Sequence, residues 1–299
     1  MTLPPASARP ATSIMAGIVL FLFAGLCFTV LDVIAKYLSR DYSIVQIAWA
    51  RYVFAIVAVM ALIPKAHRRR PFVSAKPLLQ TVRACLLVLV TLMFFLAVSY
   101  LPLADVTSVG FATPLIVTAL GALLLGETVG ARRWTAVVVG FCGVLIIVRP
   151  TGTVHWAVFV TLAMAAGNAA FQLLTRVLSR HDSPHVAATY VAFVGGFGLS
   201  LIVPFVWKSP DLFGWFLHVL IGLAAGVGHY ALASAFNQAP ASTLAPFAYI
   251  QLIWITIGGF LVFGDFPDIW TVLGASIVVA SGIYIFYREA KRREPGPGS

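Results

Sequence analysis

A chain of 299 residues that is 61% hydrophobic and only 10% charged, with a mean hydropathy of +0.97, has too little polar surface to fold in water. The net charge of +10 sits in short clusters between apolar runs, a distribution that membrane topology explains and a nucleic-acid-binding face does not. The three cysteines stand singly, without the spacing of a metal site or a disulfide framework, and read as packing residues.

In chain order, residues 1–13 are rich in Pro, Ala, Thr and Ser and are expected to form a disordered tail. The apolar run that follows is longer than the core of a signal peptide and is read as an uncleaved first helix. Ten segments approach the roughly 20 apolar residues needed to cross a bilayer: about 14–35, 43–63, 78–98, 103–125, 134–148, 156–175, 186–207, 212–236, 241–263 and 269–287. The fifth is short and counts as a span mainly because its repeat partner is the longer tenth. The runs are continuous rather than alternating, which excludes a β-barrel pattern and predicts an all-α membrane protein. Residues 289–299 are expected to be a second disordered tail.

The chain repeats itself. Ala97-Val98-Ser99-Tyr100-Leu101-Pro102 returns 138 residues later as Ala235-Phe236-Asn237-Gln238-Ala239-Pro240, and Gly126-Glu127 returns at the same offset as Gly264-Asp265. Leu38-Ser39-Arg40 reappears as Leu178-Ser179-Arg180 at an offset of 140. Two five-helix units, 14–150 and 151–288, follow from this. Five crossings per unit is odd, so the second unit enters from the opposite side and the repeat is inverted. With the N-terminus inside, fourteen of the 20 Lys and Arg fall in one set of loops, among them Arg68, Arg69 and Arg70. Positive loops stay cytoplasmic, so both termini are predicted to be cytoplasmic.

These features, with Gly126-Glu127 closing span 4, Gly264-Asp265 closing span 9, Ala50-Arg51-Tyr52 in span 2 and Arg83 early in span 3, resemble the EamA-type branch of the drug/metabolite transporter superfamily across residues 13–288. The resemblance implies a bacterial inner-membrane carrier of amino acids, other small metabolites, nucleotide-sugars or drugs, among which are the YddG-type amino-acid exporters. It also marks Glu127 and Asp265 as a shared position, where a helix-end role is expected. The second half lacks an Arg equivalent to Arg51, so the site is not expected to be fully symmetric.

Polar groups in the hydrocarbon region are expensive and normally face a wet interior. At the repeat offsets Asp32 falls on Gln172, Thr113 on Gln251 and Thr91 on His229, so each polar position is polar in both halves. The expected substrate-binding set is Asp32, Arg51, Thr91, Thr113, Asn168, Gln172, Tyr190, His229, Tyr230, Gln251 and Trp254. Asp32 and Arg51 lie at similar depth, either as a structural ion pair or as the captors of an amino-acid headgroup. Asn168 and Gln172 share a helix face and are equally compatible with interhelical hydrogen bonds. Gly110, Pro114 and Pro246 are expected to form gating elements, because proline removes a backbone donor and is tolerated beside a cavity. Gly195-Gly196-x-Gly198 reads as close helix packing rather than a phosphate loop. Trp156, Trp207, Trp215 and Trp270 read as interface anchors.

The predicted function is a secondary transporter working by alternating access, with amino-acid export favoured over uptake or exchange of another metabolite such as S-adenosylmethionine, a nucleotide-sugar or a drug-like amine. The sequence shows no nucleotide-binding loop and no intramembrane catalytic constellation, so neither ATP hydrolysis nor an enzyme is expected. No cofactor or metal is expected. The expected partners are a small molecule, the lipid bilayer and, through His229, a proton as coupling ion; monomer and homodimer both remain open.

Overall fold

The computed structural model describes residues 11–62, 74–125, 130–149, 154–179, 182 and 184–293. Among them all regular structure is helical, and ten helical segments are long and apolar enough to span a membrane. Spans 1 to 3 are α1 (Ala11–Leu38), α2 (Ile44–Leu62) and α3 (Pro77–Tyr100). The fourth is divided into α4 (Leu103–Gly110) and α5 (Thr113–Leu125), and the fifth is α6 (Ala131–Val148). The sixth is α7 (Ala157–Leu178), the seventh α8 (Pro184–Ile202) with a 3₁₀ turn at Val203–Val206, and the eighth α9 (Leu212–Gln238). The ninth joins α10 (Ala241–Leu244), a 3₁₀ stretch (Ala245–Tyr249) and α11 (Ile250–Phe263), and the tenth is α12 (Ile269–Arg293).

Two boundaries differ from expectation. Helix α1 begins at Ala11 and α12 runs to Arg293, so part of each expected tail is helical. The Arg288-Glu-Ala-Lys-Arg-Arg293 run consists of strong helix formers, which carry the last span beyond its apolar end. The short fifth span fills out to 18 residues by taking in Ala131, Arg132 and Arg133 after the Gly130 cap. The motif at Gly126-Glu127 and the Arg68–Arg70 cluster lie outside the described residues.

The repeated sequence becomes repeated backbone. Helix α3 ends on Leu101 and α9 on Ala239, both extended, and each cap N–H bonds the carbonyl four residues back, of Ala97 and Ala235 respectively. Pro102 and Pro240 follow and start the next helix without a backbone donor to satisfy. The end of α11 needs glycine: Gly264 adopts φ +73°, where its N–H closes the last turn and a Cβ would be strained.

Packing follows the same symmetry. Helix α1 lies on α9, and its counterpart α7 lies on α3. Spans 2 and 7, 4 and 9, and 5 and 10 each pack on their own counterparts, through α2 with α8, α4 with α11 and α6 with α12. Equivalent elements meeting pairwise place a pseudo-two-fold axis between the halves. Most exposed large side chains are Leu, Val, Ile and Phe, as a lipid-facing surface requires. Trp156, Trp207, Trp215 and Trp270 are partly exposed at span ends. Cys85 and Cys142 are exposed rather than packed; only Cys27 is partly buried, against Gly228.

Candidate functional site

Small residues open a space between the halves. Ala55 on α2, Ala187, Ala188 and Ala192 on α8, and Ala225 and Gly226 on α9 form walls of a cavity of about 320 Å³. Leu87, Phe171 and Val191 add apolar surface, and Arg51, Gln80, Arg83, Asp182 and His229 supply the charged and titratable groups and an amide. The cavity runs from Arg51 and His229 within the bundle to Gln80, Ser179 and Asp182 at one end of it. Few polar groups on an apolar wall is the usual composition of a small-molecule site.

The two cavity arginines differ in how they are held. Arg83 donates from Nε to Gln80 Oε1 (3.0 Å), from Nη1 to Thr175 Oγ1 (3.1 Å) and from Nη2 to the Ala187 carbonyl (2.7 Å). It therefore ties α3 to α7 and α8, and Phe171 stacks under its guanidinium at 5.2 Å. Beside it Asp182 accepts from Ser74 Oγ (2.5 Å), Ala75 N–H (2.8 Å) and Gln80 Nε2 (2.8 Å), pinning the start of α3 to the turn before α8. Among the described residues Arg51 donates only from Nη1, to Thr91 Oγ1 (2.5 Å) and Tyr52 Oη (3.1 Å). Its Nε is buried without an acceptor.

Asp32 lies within electrostatic reach of Arg51, as does His229. The ion pair considered between Asp32 and Arg51 does not form: no carboxylate oxygen among the described residues comes within 4.0 Å of the Arg51 guanidinium. Arg51 turns toward Thr91 and Tyr52 instead. His229 faces the cavity and meets Phe28 edge-on at 5.0 Å.

The other expected residues separate. Thr91 is 5% exposed and holds Arg51 rather than lining the cavity. Thr113 is 3% exposed and gives its hydroxyl to the Gly110 carbonyl (2.7 Å), stitching the break in span 4. Asn168 lies on the α7 face that carries Phe171 and Thr175, one turn away, whereas Gln172 is exposed beside that face. Tyr190, Gln251 and Trp254 are not walls of this cavity, and the Trp254 indole N–H is buried without a partner among the described residues. Tyr230 is 42% exposed and also lies off the walls. The expected gating residues sit at the breaks: Gly110 ends α4, Pro114 is in the first turn of α5, and Pro246 lies in the 3₁₀ stretch before α11.

Sequence reasoning missed Tyr52, Gln80, Phe171, Thr175 and Asp182. Gln80 and Arg83 stand three apart on one face of α3, and Tyr52 follows Arg51 directly, so both could have been found from spacing. Close packing holds at Gly195 and Gly196, where a Cβ would come within 2.7 Å of the Tyr52 ring and 3.2 Å of Ile56, but not at Gly198, which has nothing within 4 Å.

The end of the bundle away from the cavity mouth is tied shut across the halves. Lys36 Nζ, at the end of α1, bonds Asp265 Oδ2 (2.6 Å) and the Leu101 carbonyl (3.2 Å). Arg149 pairs with Asp268, and Thr271 Oγ1 donates to Asp105 Oδ1 (2.9 Å). Gln46 exchanges two hydrogen bonds with the Lys208 backbone, at 2.9 and 3.0 Å. The backbone N–H of Thr271, and then Arg149, hold the Asp268 carboxyl below the usual carboxylate range.

Residues 15–149 match the EamA-like transporter family. The chain is 29% identical over 284 residues to a riboflavin transporter of Vibrio cholerae, covering 93% of this chain and 95% of that one. It is 25% identical over 276 residues to an S-adenosylmethionine uptake transporter of Rickettsia prowazekii, with 92% and 94% coverage. It is also 25% identical over 275 residues to a pseudopaline exporter of Pseudomonas aeruginosa, with 90% and 95% coverage. A solved crystal structure superposes with a TM-score of 0.63 at 16% identity, over 94% of this chain and 99% of the other; that likeness concerns the fold alone.

Proposed function

We propose that this EamA-type member of the drug/metabolite transporter superfamily is a secondary carrier, moving a small amphipathic metabolite through the cavity between its halves. One observation carries the reading: Arg51, with an unsatisfied donor, borders an apolar cavity that reaches one end of the bundle, while ion pairs across the halves close the other. A site accessible from one end at a time is what alternating access requires. On the loop charges, the open end is cytoplasmic in a bacterial inner membrane, which is where an exporter loads. An amino acid is the favoured cargo, its headgroup set between Arg51 and Asp32 and its side chain against Ala55, Leu87, Phe171 and Val191.

The names of the relatives support a second reading, uptake or exchange of a larger metabolite such as S-adenosylmethionine or riboflavin. Counterflow in proteoliposomes with labelled amino acids, S-adenosylmethionine, riboflavin, polyamines and nucleotide-sugars decides among them. Uptake stimulated by the same unlabelled compound inside the vesicles is the expected result, and flux indifferent to the opposite side would overturn the carrier mechanism.

A further inference from the structure

We infer that Arg51 is the specificity anchor for a carboxylate on the transported molecule, and that Tyr52 and Thr91 position its guanidinium for that contact. The inference rests on the carrier reading of the same cavity. Three comparisons within the protein lead to it.

The first is between the two arginines on the cavity wall. Arg83 has an acceptor at each of its three nitrogens, all from the protein. Arg51 has acceptors at one nitrogen only, leaving Nε orphaned and Nη2 without a bond to any described residue. A guanidinium in this state within a membrane protein lacks a paired counter-charge and has no acceptor at two of its three nitrogens among the described residues. The Nε and Nη2 donors point along one edge of the planar group, the fork that matches two carboxylate oxygens.

The second comparison concerns rigidity. Tyr52 Oη and Thr91 Oγ1 are 2.9 Å apart, and both take Nη1 of Arg51. Tyr52 also donates toward the Leu87 carbonyl at 3.4 Å, is 3% exposed, and has its ring against Gly195, where no side chain would fit. The occupied edge of Arg51 is thus fixed by buried groups on two helices, and the other edge is left over. Positioning of this kind lowers the ordering cost of binding.

The third comparison concerns charge. Asp182 is the one acidic residue of the described cavity walls, and it is engaged at the far end by Ser74, Ala75 and Gln80. Asp32 is the acid near Arg51, and it has no hydrogen-bond or ion-pair partner among the described residues. Asp32 is not itself a wall of the cavity, but it lies within electrostatic reach of Arg51, so a ligand with a carboxylate on Arg51 and a cationic group turned toward Asp32 is compensated at both groups; a plain amine leaves Arg51 uncompensated, as a carboxamide also does. Between Arg51 and the mouth the walls at Ala55, Leu87, Phe171 and Val191 are apolar, which suits a ligand with a polar headgroup and an apolar side chain.

The test measures thermal stabilisation of the purified full chain by four probes of one shape: phenylalanine, phenylalaninamide, 3-phenylpropionate and phenethylamine. Phenylalanine is expected to half-saturate at a concentration at least about tenfold below the amide and the amine, with 3-phenylpropionate between. Arg51→Gln should erase the acid-over-amide preference and Arg51→Lys should keep part of it. Tyr52→Phe and Thr91→Val retain the charge and should narrow the preference severalfold. These two variants carry the test if Arg51→Gln does not fold. Equal stabilisation by acid and amide, an acid preference that survives Arg51→Gln, or no stabilisation by any probe would overturn the inference. Acid preference without counterflow would uphold the Arg51 anchor while removing the carrier reading. Counterflow without acid preference would do the reverse.

Discussion

Thr113 and Thr91 look alike in sequence, each a lone hydroxyl in an apolar run, and they do different things. Thr113 satisfies itself within its own span by bonding Gly110, whereas Thr91 reaches across to Arg51. Polarity alone cannot separate the two, because a threonine in a helix can discharge its hydrogen bond locally. Arg51 and His229 line the cavity, as a titratable group inside a span has no cheap alternative to an interior position, whereas Asp32, equally titratable, is not among the cavity walls. Asp182 was not legible, since an aspartate in a loop carries no such penalty, and Tyr52 was legible only through its neighbour Arg51. At this scale, Gly195→Val should push the Tyr52 ring off its seat and raise the half-saturating substrate concentration severalfold with a smaller change in maximal rate. Asp268 gives a pH prediction. Its folded-state pKa is lowered, so the stability it contributes is present above the ordinary aspartate value of about 3.9 and is lost as pH falls through the lower folded value. Closure through Arg149 should therefore persist at pH 5 and weaken only below about pH 4, as thiol labelling next to the ion pair can follow. Loss of closure already at pH 5 would contradict it.

Spans 4 and 9 are each broken, and at equivalent places. The break between α4 and α5 falls at Phe111 and Ala112, and the 3₁₀ stretch before α11 ends at Tyr249, which is Phe111 shifted by the repeat offset of 138. The two rings meet at 5.2 Å. Paired discontinuous helices at a pseudo-two-fold axis are where a transporter of inverted repeats can flex. The sequence announced the prolines but not the breaks, since Pro114 lies after the interruption and a single proline is compatible with a mere kink. Helix existence was legible throughout from hydropathy, while rotation of each helix about its axis was not. That is why Gln251 and Trp254 were expected on the cavity and are not among its walls. Pro114→Ala restores a backbone donor and should favour a continuous span 4. Initial transport rates are expected to fall severalfold with ligand stabilisation unchanged, and unchanged rates would remove the break from the mechanism.

The molecule as a whole is two related bundles joined by polar links at one end and separated by a cavity toward the other. The Lys36–Asp265 pair is partly shielded, with side chains 15% and 36% exposed, and a pair of this kind contributes about 1 kcal/mol. That is enough to shift a balanced two-state equilibrium about fivefold. Lys36 and Asp32 lie one helical turn apart on α1, so the latch and the site share one rigid element. We expect a single chamber between the bundles, open to one side at a time. It is tested most directly by placing cysteine at Ala187, on the cavity wall, in a chain lacking Cys27, Cys85 and Cys142, and labelling with a membrane-impermeant thiol reagent from each side. The prediction is labelling from the cytoplasmic side alone, with Lys36→Met moving part of it to the opposite side. Simultaneous labelling from both sides in the unlatched and latched chains alike would contradict it.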